Sequence, residues 1–224
     1  MTRNFVRRAG VFAATMACAL ALAATPAMAN QDSEHYVGVN AQGAIAALSS
    51  AGTPAERTAK FGALMEQFAD VGEISSKVLG VYARQLRADP TLKKQWTEAF
   101  RDYAMATYED QLDRYRGSDV TVVGSRDADQ NGKPCSRVTT QITETKGAKP
   151  VTVFWYLCKA APAASWRVSD VGLDVGGGEI KLLLSQRAQF ESVLGRNGGD
   201  IPALIKQVKS TTASMRARID AKKR

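Results

Sequence analysis

The sequence predicts an α+β fold in which helices pack around a four-stranded antiparallel sheet. Up to Gly117, apolar residues recur every three or four positions, as they do along one face of an amphipathic helix. After Gly117 the period changes to two, which is typical of half-buried strands. Helical spacing then returns from Glu179 to the end of the 224-residue chain.

The predicted helices begin at recognisable capping signals. Thr53 and Asp89 each precede a proline, which is a favoured first helical residue, and Asp70 can cap the segment between them. Gly176–Gly178 ends the strand region and opens a helix from Glu179. We expect helices over residues 37–48, from 54, from 71, from 90 to the stop at 117, over 179–194, and from about 201.

Four β-rich segments follow Gly117, over residues 120–126, 135–143, 151–157 and 166–173. If the middle hairpin is centred on the 146–147 bond, within a turn over residues 146–150, Val138 faces Trp155 and Cys135 faces Cys158. This register collects the apolar side chains on one face of the sheet. We therefore predict a Cys135–Cys158 disulfide, which closes a loop of about 24 residues and contributes on the order of 3 kcal/mol. The alternative is two free buried thiols.

The N-terminus has the pattern of an export signal. Three arginines precede an apolar stretch over residues 9–24 that is too short to span a bilayer, and Ala27 and Ala29 offer the small residues that a signal peptidase reads. We predict that residues 1–29 are removed on export to the periplasm. The remaining residues 30–224 then form a single domain, with the net charge reduced from +8 to +5. No later stretch has the length of a membrane span, so we expect a soluble mature protein.

The residue inventory argues against several classes of site. His35 is the only histidine and lies in a polar tail, which disfavours a Ser-His-Asp triad, a Cys-His pair and a histidine-rich zinc site. The turn over residues 127–133 begins like a calcium loop but lacks its distal glutamate, and Gly176–Gly178 lacks the Lys-Ser/Thr of a phosphate loop. The acidic residues follow solvent-facing helical patterns, without a clefted pair for acid–base catalysis. We expect no metal site and no catalytic residues.

The positive charge is spread along the chain and matched by acids. The strand aromatics Phe154, Trp155 and Tyr156 do not form a ribonucleoprotein-type motif, so we expect no nucleic-acid partner. Basic residues concentrate in the last helix, which fits either contact with an acidic partner or anionic lipid surface, or a solvated helix end. They are Lys206, Lys209, Arg216, Arg218, Lys222, Lys223 and Arg224.

Seven segments, taken in order, form a recognisable pattern: Val78-Leu-Gly-Val-Tyr82, Trp96-Thr-Glu-Ala-Phe-Arg-Asp-Tyr103, Thr107-Tyr108, Tyr115-Arg-Gly117, Val151-Thr-Val-Phe-Trp-Tyr-Leu157, Trp166-Arg-Val-Ser-Asp-Val171 and Ser185-Gln-Arg-Ala-Gln-Phe190. Together they resemble the MlaC/toluene-tolerance family of periplasmic phospholipid-binding carriers, and also its hopanoid-associated branch. The resemblance covers most of residues 37–210. The disulfide and the glycine-rich segment before Ser185 depart from the family pattern.

The resemblance implies a deep apolar pocket that takes the acyl chains of a phospholipid and leaves the headgroup outside. It implies no enzymatic step and no cofactor apart from the bound phospholipid cargo. The partners it implies are an outer-membrane lipoprotein–porin complex and an inner-membrane ABC transporter with an MCE-domain subunit, served by a monomeric carrier. Under this interpretation we expect the pocket wall to include Leu79, Tyr82, Trp96, Phe100, Tyr103, Val153, Trp155, Leu183, Phe190 and Val193.

Apolar periodicity alone leaves other interpretations open, because it does not distinguish a solid core from one that encloses a cavity. The chain could be a hopanoid or other lipid carrier, or a lipid-free periplasmic adaptor whose basic last helix docks a membrane complex. A third interpretation is an exported enzyme of cone-shaped α+β fold that uses carboxylates.

Overall fold

The structure is a computed structural model that describes residues 30–128, 132–143 and 149–222. Within these residues, four α-helices precede the long helix α5, five strands follow it, and two further helices come after the strands. The helices are α1 (Gln31–Ser49), α2 (Pro54–Phe68), α3 (Val71–Lys77), α4 (Arg84–Ala88), α5 (Pro90–Leu112), α6 (Leu182–Arg196) and α7 (Ile201–Lys222). The strands are β1 (Asp119–Asp127), β2 (Cys135–Thr143), β3 (Val151–Lys159), β4 (Trp166–Val175) and β5 (Gly178–Lys181). Short 3₁₀ turns over Gly80–Ala83 and Asp113–Tyr115 complete the set.

The predicted capping residues hold the starts of three helices. Thr53 and Glu56 form a reciprocal capping box at α2, in which each side chain accepts the other residue's backbone N–H. The Asp70 and Asp89 side chains accept backbone N–H groups in the first turns of α3 and α5. Each bond satisfies a donor that the helix itself leaves unpaired, so local chemistry fixes these boundaries.

The sheet is antiparallel with strand order β1-β2-β3-β4-β5. It has five strands, so the prediction of four was wrong by one. Residues Gly178–Lys181, where we expected a helix to begin, pair with β4 as an edge strand. Gly176 and Gly177 take φ values of 63° and 85°, which L side chains rarely adopt, and so allow a tight turn back onto β4. Helix α6 starts at Leu182 instead of residue 179.

The register of β2 and β3 is the predicted one. Val138 pairs with Trp155, Thr140 with Val153, and Cys135 with Cys158. The two cysteines form a disulfide with their Cα atoms 4.1 Å apart, which confirms the pairing argument. Residues 144–148, within the predicted turn, lie outside the described residues, as do residues 1–29 of the predicted signal peptide.

Two regions of the interior differ in composition. Between α3, α5, α6 and α7, the aromatic rings of Trp96, Phe100 and Phe190 pack edge to face or tilted, with centroids 5.5–6.3 Å apart. The Trp96 indole N–H also donates to the Ser75 carbonyl at 2.6 Å. We call this region the aromatic cluster. The second region lies between α1, α2 and the inner face of the sheet, and it holds the candidate site.

Helix α7 is tied to the body by a buried acid. Glu109, only 1% exposed, accepts from the Thr58 hydroxyl at 2.8 Å and forms an ion pair with Arg216. Arg216 is one of the basic residues noted in the last helix, and its charge is directed inward. Of the other basic residues of that helix, Lys206, Lys209 and Arg218 are exposed. No helix in the described part of the chain is long and apolar enough to cross a membrane.

Candidate functional site

A cavity of about 550 Å³ lies between the inner face of the sheet and helices α1, α2, α5 and α6. The lining side chains are mostly aliphatic or aromatic, as in sites that bind apolar small molecules. Strands β2, β3 and β4 contribute Ile142, Val151, Val153, Trp155, Val168, Val171 and Leu173. The helices and their connections contribute Ala41, Ala44, Ile45, Met65, Phe68, Ala69, Ile74, Tyr108, Leu112, Tyr115, Leu182 and Leu183.

Small side chains explain why this part of the interior is open. Helix α1 contributes Ala41 and Ala44 to the cavity lining, and Ala69 follows α2 at the inner end of the cavity. All three are buried, so the space beyond their methyl groups is left for a ligand or solvent. Close packing normally fills protein interiors to crystal-like density, so a void of this size is a specific feature of the fold.

The cavity opens at one end of the sheet. Its inner end is lined by the buried Phe68, Ala69 and Val168. Its outer end is lined by Gln111 and Arg114, which are exposed. The mouth therefore lies where α5 ends. Its other sides are formed by the start of β3 at Val151, the end of β4 near Leu173 and the start of α6 at Leu182.

Polar side chains make up a minority of the cavity lining: Tyr108, Asp110, Gln111, Arg114, Ser169, Asp170 and Gln186. One Asp170 side-chain oxygen accepts the backbone N–H groups of Val171 and Leu183 at 2.8 and 3.0 Å, which anchors the first turn of α6 to β4. Burial raises the pKa of the Asp170 carboxyl, against the lowering effect of those bonds. Burial also raises the pKa of Tyr108 to about 12, with smaller contributions from Asp170 and Tyr103. Tyr108 is half-buried and lines the cavity. Because its pKa is raised, its hydroxyl stays neutral at ordinary pH.

The structure separates the ten predicted pocket residues into two groups. Val153, Trp155 and Leu183 line the cavity. The other seven belong to or pack against the aromatic cluster, away from the cavity lining: Leu79, Tyr82, Trp96, Phe100, Tyr103, Phe190 and Val193. The cavity thus has a wall built mainly from residues that sequence reasoning did not single out.

A sequence signal for the missed residues exists. Ala41 and Ala44 are small residues one helical turn apart on α1, and both line the cavity. Large aromatic residues draw attention as binding residues, yet here they fill space, while the alanines leave it open. The strand residues Val151, Val171 and Leu173 share the inner face with Val153 and could have been added from the register alone.

The cavity can hold hydrocarbon. A protein cavity of about 150 Å³ accepts one benzene ring, so about 550 Å³ offers room for on the order of twenty carbon atoms. Within the described residues, no group of three or more histidine, cysteine or acidic side chains is arranged to hold a metal ion. The site therefore presents an apolar binding chamber with a partly polar mouth.

Comparison with known proteins adds two findings. The sequence model of the MlaC protein family matches residues 41–210. Among solved structures, the chain resembles a phospholipid-binding protein from Ralstonia solanacearum that was determined in complex with a phospholipid. The two chains are 20% identical, the alignment covers 82% of this chain and 98% of the other, and the TM-score is 0.63.

A comparison with curated proteins finds no significant match. At 20% identity the structural likeness establishes the shared fold, an α+β scaffold with one antiparallel sheet. The family match spans three quarters of the chain, including the helices and strands that line the cavity. The chain is therefore a member of the MlaC protein family.

Proposed function

We propose that this protein is a periplasmic lipid carrier that holds the acyl chains of a phospholipid in the cavity and moves the lipid between the outer and inner membranes. The observation that carries the proposal is the apolar chamber of about 550 Å³, lined by residues of β3, β4, α1 and α6. Membership of the MlaC family and the phospholipid bound to the Ralstonia protein support it. Binding and release are the whole task, so the proposal includes no chemical step and no cofactor.

The energetics explain why such a chamber is needed. At about 0.8 kcal/mol per methylene, exposing two acyl chains of some sixteen carbons to water costs on the order of 25 kcal/mol. A chamber for on the order of twenty carbons removes about 16 kcal/mol of that cost. The remaining carbons need cover from widening of the chamber or from apolar surface at its mouth.

Transport direction has to come from the partners. The free energy of hydrocarbon in an apolar chamber is close to that in a bilayer, so the carrier alone favours neither membrane. We propose that lipid passes between an outer-membrane lipoprotein–porin complex and an inner-membrane ABC transporter with an MCE-domain subunit, whose ATP use sets the direction. Export by the segment over residues 1–29 would place the carrier, as a monomer, between them.

Native mass spectrometry of the purified protein, followed by solvent extraction and lipid identification, tests the proposal. We expect one phospholipid per chain. A bound hopanoid would identify the cargo as a hopanoid instead of a phospholipid. A protein that carries no lipid and that vesicles cannot load would contradict the carrier function and favour the lipid-free adaptor interpretation.

A matched pair of variants links cargo to the cavity. Val151→Asp places a charge on the half-buried lining near the mouth, whereas Val123→Asp changes an exposed valine on β1. We expect the first to lose bound lipid and the second to keep it, with both retaining the circular dichroism of the wild type. Equal loading of the two variants would show that the lipid binds elsewhere.

A further inference from the structure

Three large aliphatic side chains lie exposed beside the cavity mouth. Val175, Ile180 and Leu184 are 56%, 47% and 55% exposed. Val175 and Ile180 flank the β4–β5 turn, and Leu184 lies in the first turn of α6. We call these three residues the apolar lip. Exposed aliphatic groups of this size have a cost in water, and when clustered they commonly mark an interaction site.

The apolar lip continues the cavity wall. Ile180 is the cross-strand partner of Leu173, which lines the cavity, so the two side chains share the inner face of the sheet. Val175 is two residues beyond Leu173 on the same strand and projects to that same face. Leu184 lies in the first turn of α6, which also carries the lining residues Leu182 and Leu183. The apolar surface therefore runs from Leu173 inside the cavity through Ile180 and Val175 to the outside of the molecule, and Leu184 adds an exposed aliphatic group at the start of α6.

The β4–β5 turn holds this surface clear of the rest of the protein. Added Cβ atoms at Gly176 and Gly177 would meet no other atom within 4 Å, so the turn projects into open space. Two acidic residues flank the turn as cross-strand partners, Asp174 and Glu179. Asp174 folds back and accepts the Gly177 N–H at 2.9 Å, while Glu179 accepts from the Tyr156 hydroxyl and forms an ion pair with Arg137. The tip thus presents glycine backbone and aliphatic side chains, which can enter a lipid interface at low cost.

Two exposed cations are associated with the same end of the sheet. Arg114 lines the mouth, and Lys149 lies two residues before the lining residue Val151. Their positions suit the phosphate groups of lipid headgroups, which lie just above the hydrocarbon that an aliphatic tip would reach. An apolar tip with adjacent cations is the pattern of a surface that binds a membrane interface.

We propose that the apolar lip inserts into the interface of a lipid bilayer, so that acyl chains pass between bilayer and cavity along Val175, Ile180 and Leu184 without crossing water. This inference rests on the proposed carrier function and adds the surface through which cargo enters. The lip also supplies cover for the part of a two-chain lipid that exceeds the capacity of the chamber.

Vesicle flotation and lipid-exchange rates test the inference. The probe is phosphatidylcholine vesicles with and without phosphatidylglycerol, and the variant is Val175→Ser/Ile180→Ser/Leu184→Ser. About half of each side chain is available for burial, so losing all three corresponds to about a hundredfold weaker partitioning. We expect lipid exchange with vesicles to slow in proportion.

The matched control is Val39→Ser/Val81→Ser/Val123→Ser, which removes three valines of 58–63% exposure from α1, the first 3₁₀ turn and β1. It should bind vesicles and exchange lipid as the wild type does. The inference would be overturned if the lip variant bound vesicles and exchanged lipid as strongly as the wild-type protein. It would also be overturned if the wild-type protein carried lipid but could be loaded only by a protein partner. If native mass spectrometry found no lipid on the wild-type protein under any condition, the carrier function itself would be refuted. That measurement is independent of the vesicle assays.

Discussion

Removal of the disulfide is expected to cost about 3.4 kcal/mol of unfolding free energy. Cys135 and Cys158 are 23 positions apart and close a loop of about 24 residues across β2 and β3. The chain-entropy relation gives about 3.4 kcal/mol at room temperature for such a loop, because the bond restricts the unfolded chain more than the native hairpin. For a protein of this size, that corresponds to a fall of about 7–14 °C in Tm.

The change to make is Cys135→Ala together with Cys158→Ala, which removes the bond without leaving a free thiol. The native register does not depend on the bond, since the pairs from Ser136 to Ile142 are held by the β2–β3 ladder. We therefore expect the variant to fold with the wild-type circular dichroism spectrum.

Urea unfolding followed by circular dichroism measures the loss. The midpoint should fall and the slope m should rise, because an unfolded chain without the cross-link exposes more surface. Wild-type protein treated with a thiol reductant is the control and should match the double variant. A midpoint equal to that of the oxidised wild type, with the bond verified by mass, would refute the argument that the cross-link stabilises through the unfolded chain.

Three further outcomes follow from buried groups. Arg216→Met should lower the free energy of unfolding, measured in urea, by about 3–5 kcal/mol because the buried Glu109 carboxylate loses that cation. Glu109→Gln should cost less, about 1.5–3 kcal/mol. The reverse order would contradict the conclusion that Glu109 is the buried, charged member of the pair. Raising the pH from about 10 to about 12 should remove about 2 kcal/mol of unfolding free energy, since Tyr108 keeps its proton in the fold but loses it on unfolding. Tyr108→Phe should flatten this part of the stability curve. Trp96→Phe should lower the free energy of unfolding by about 1–3 kcal/mol, because the Ser75 carbonyl loses its indole donor. Native mass spectrometry should still find wild-type lipid occupancy. Loss of lipid from a folded variant would show that Trp96 does belong to the lipid-binding wall.

Local rules were sufficient for most of the fold. The caps at Thr53, Asp70 and Asp89 have side chains that can satisfy helix N–H groups, and the alternation of β2 and β3 allows one register that buries the apolar face. The fifth strand was missed for a physical reason. The segment Gly178–Lys181 has a single aliphatic residue and runs directly into a helix, so its pairing depends on β4 more than on its own composition.

The candidate site was less accessible to sequence reasoning than the fold. Periodicity identifies which side chains point inward, and it identified Val153, Trp155 and Leu183 as well as the aromatic cluster. It does not report the distance between facing elements, which depends on the volume of both partners. Whether an inward residue meets another side chain or a void is therefore a property of pairs of elements that are distant in sequence.

Helix α5 shows how one helical pattern serves both regions. Toward its N-terminus, Trp96 and Phe100 meet the ring of Phe190 on α6, and the space is filled. Toward its C-terminus, Tyr108 lines the cavity, as do Ala41 and Ala44 of α1, and the space stays open. The spacing of apolar residues on α5 is the same in both halves. The chamber therefore arises from small residues on the opposing helix, while the aromatic cluster and the buried Glu109–Arg216 pair hold α5 and α7 together beside it.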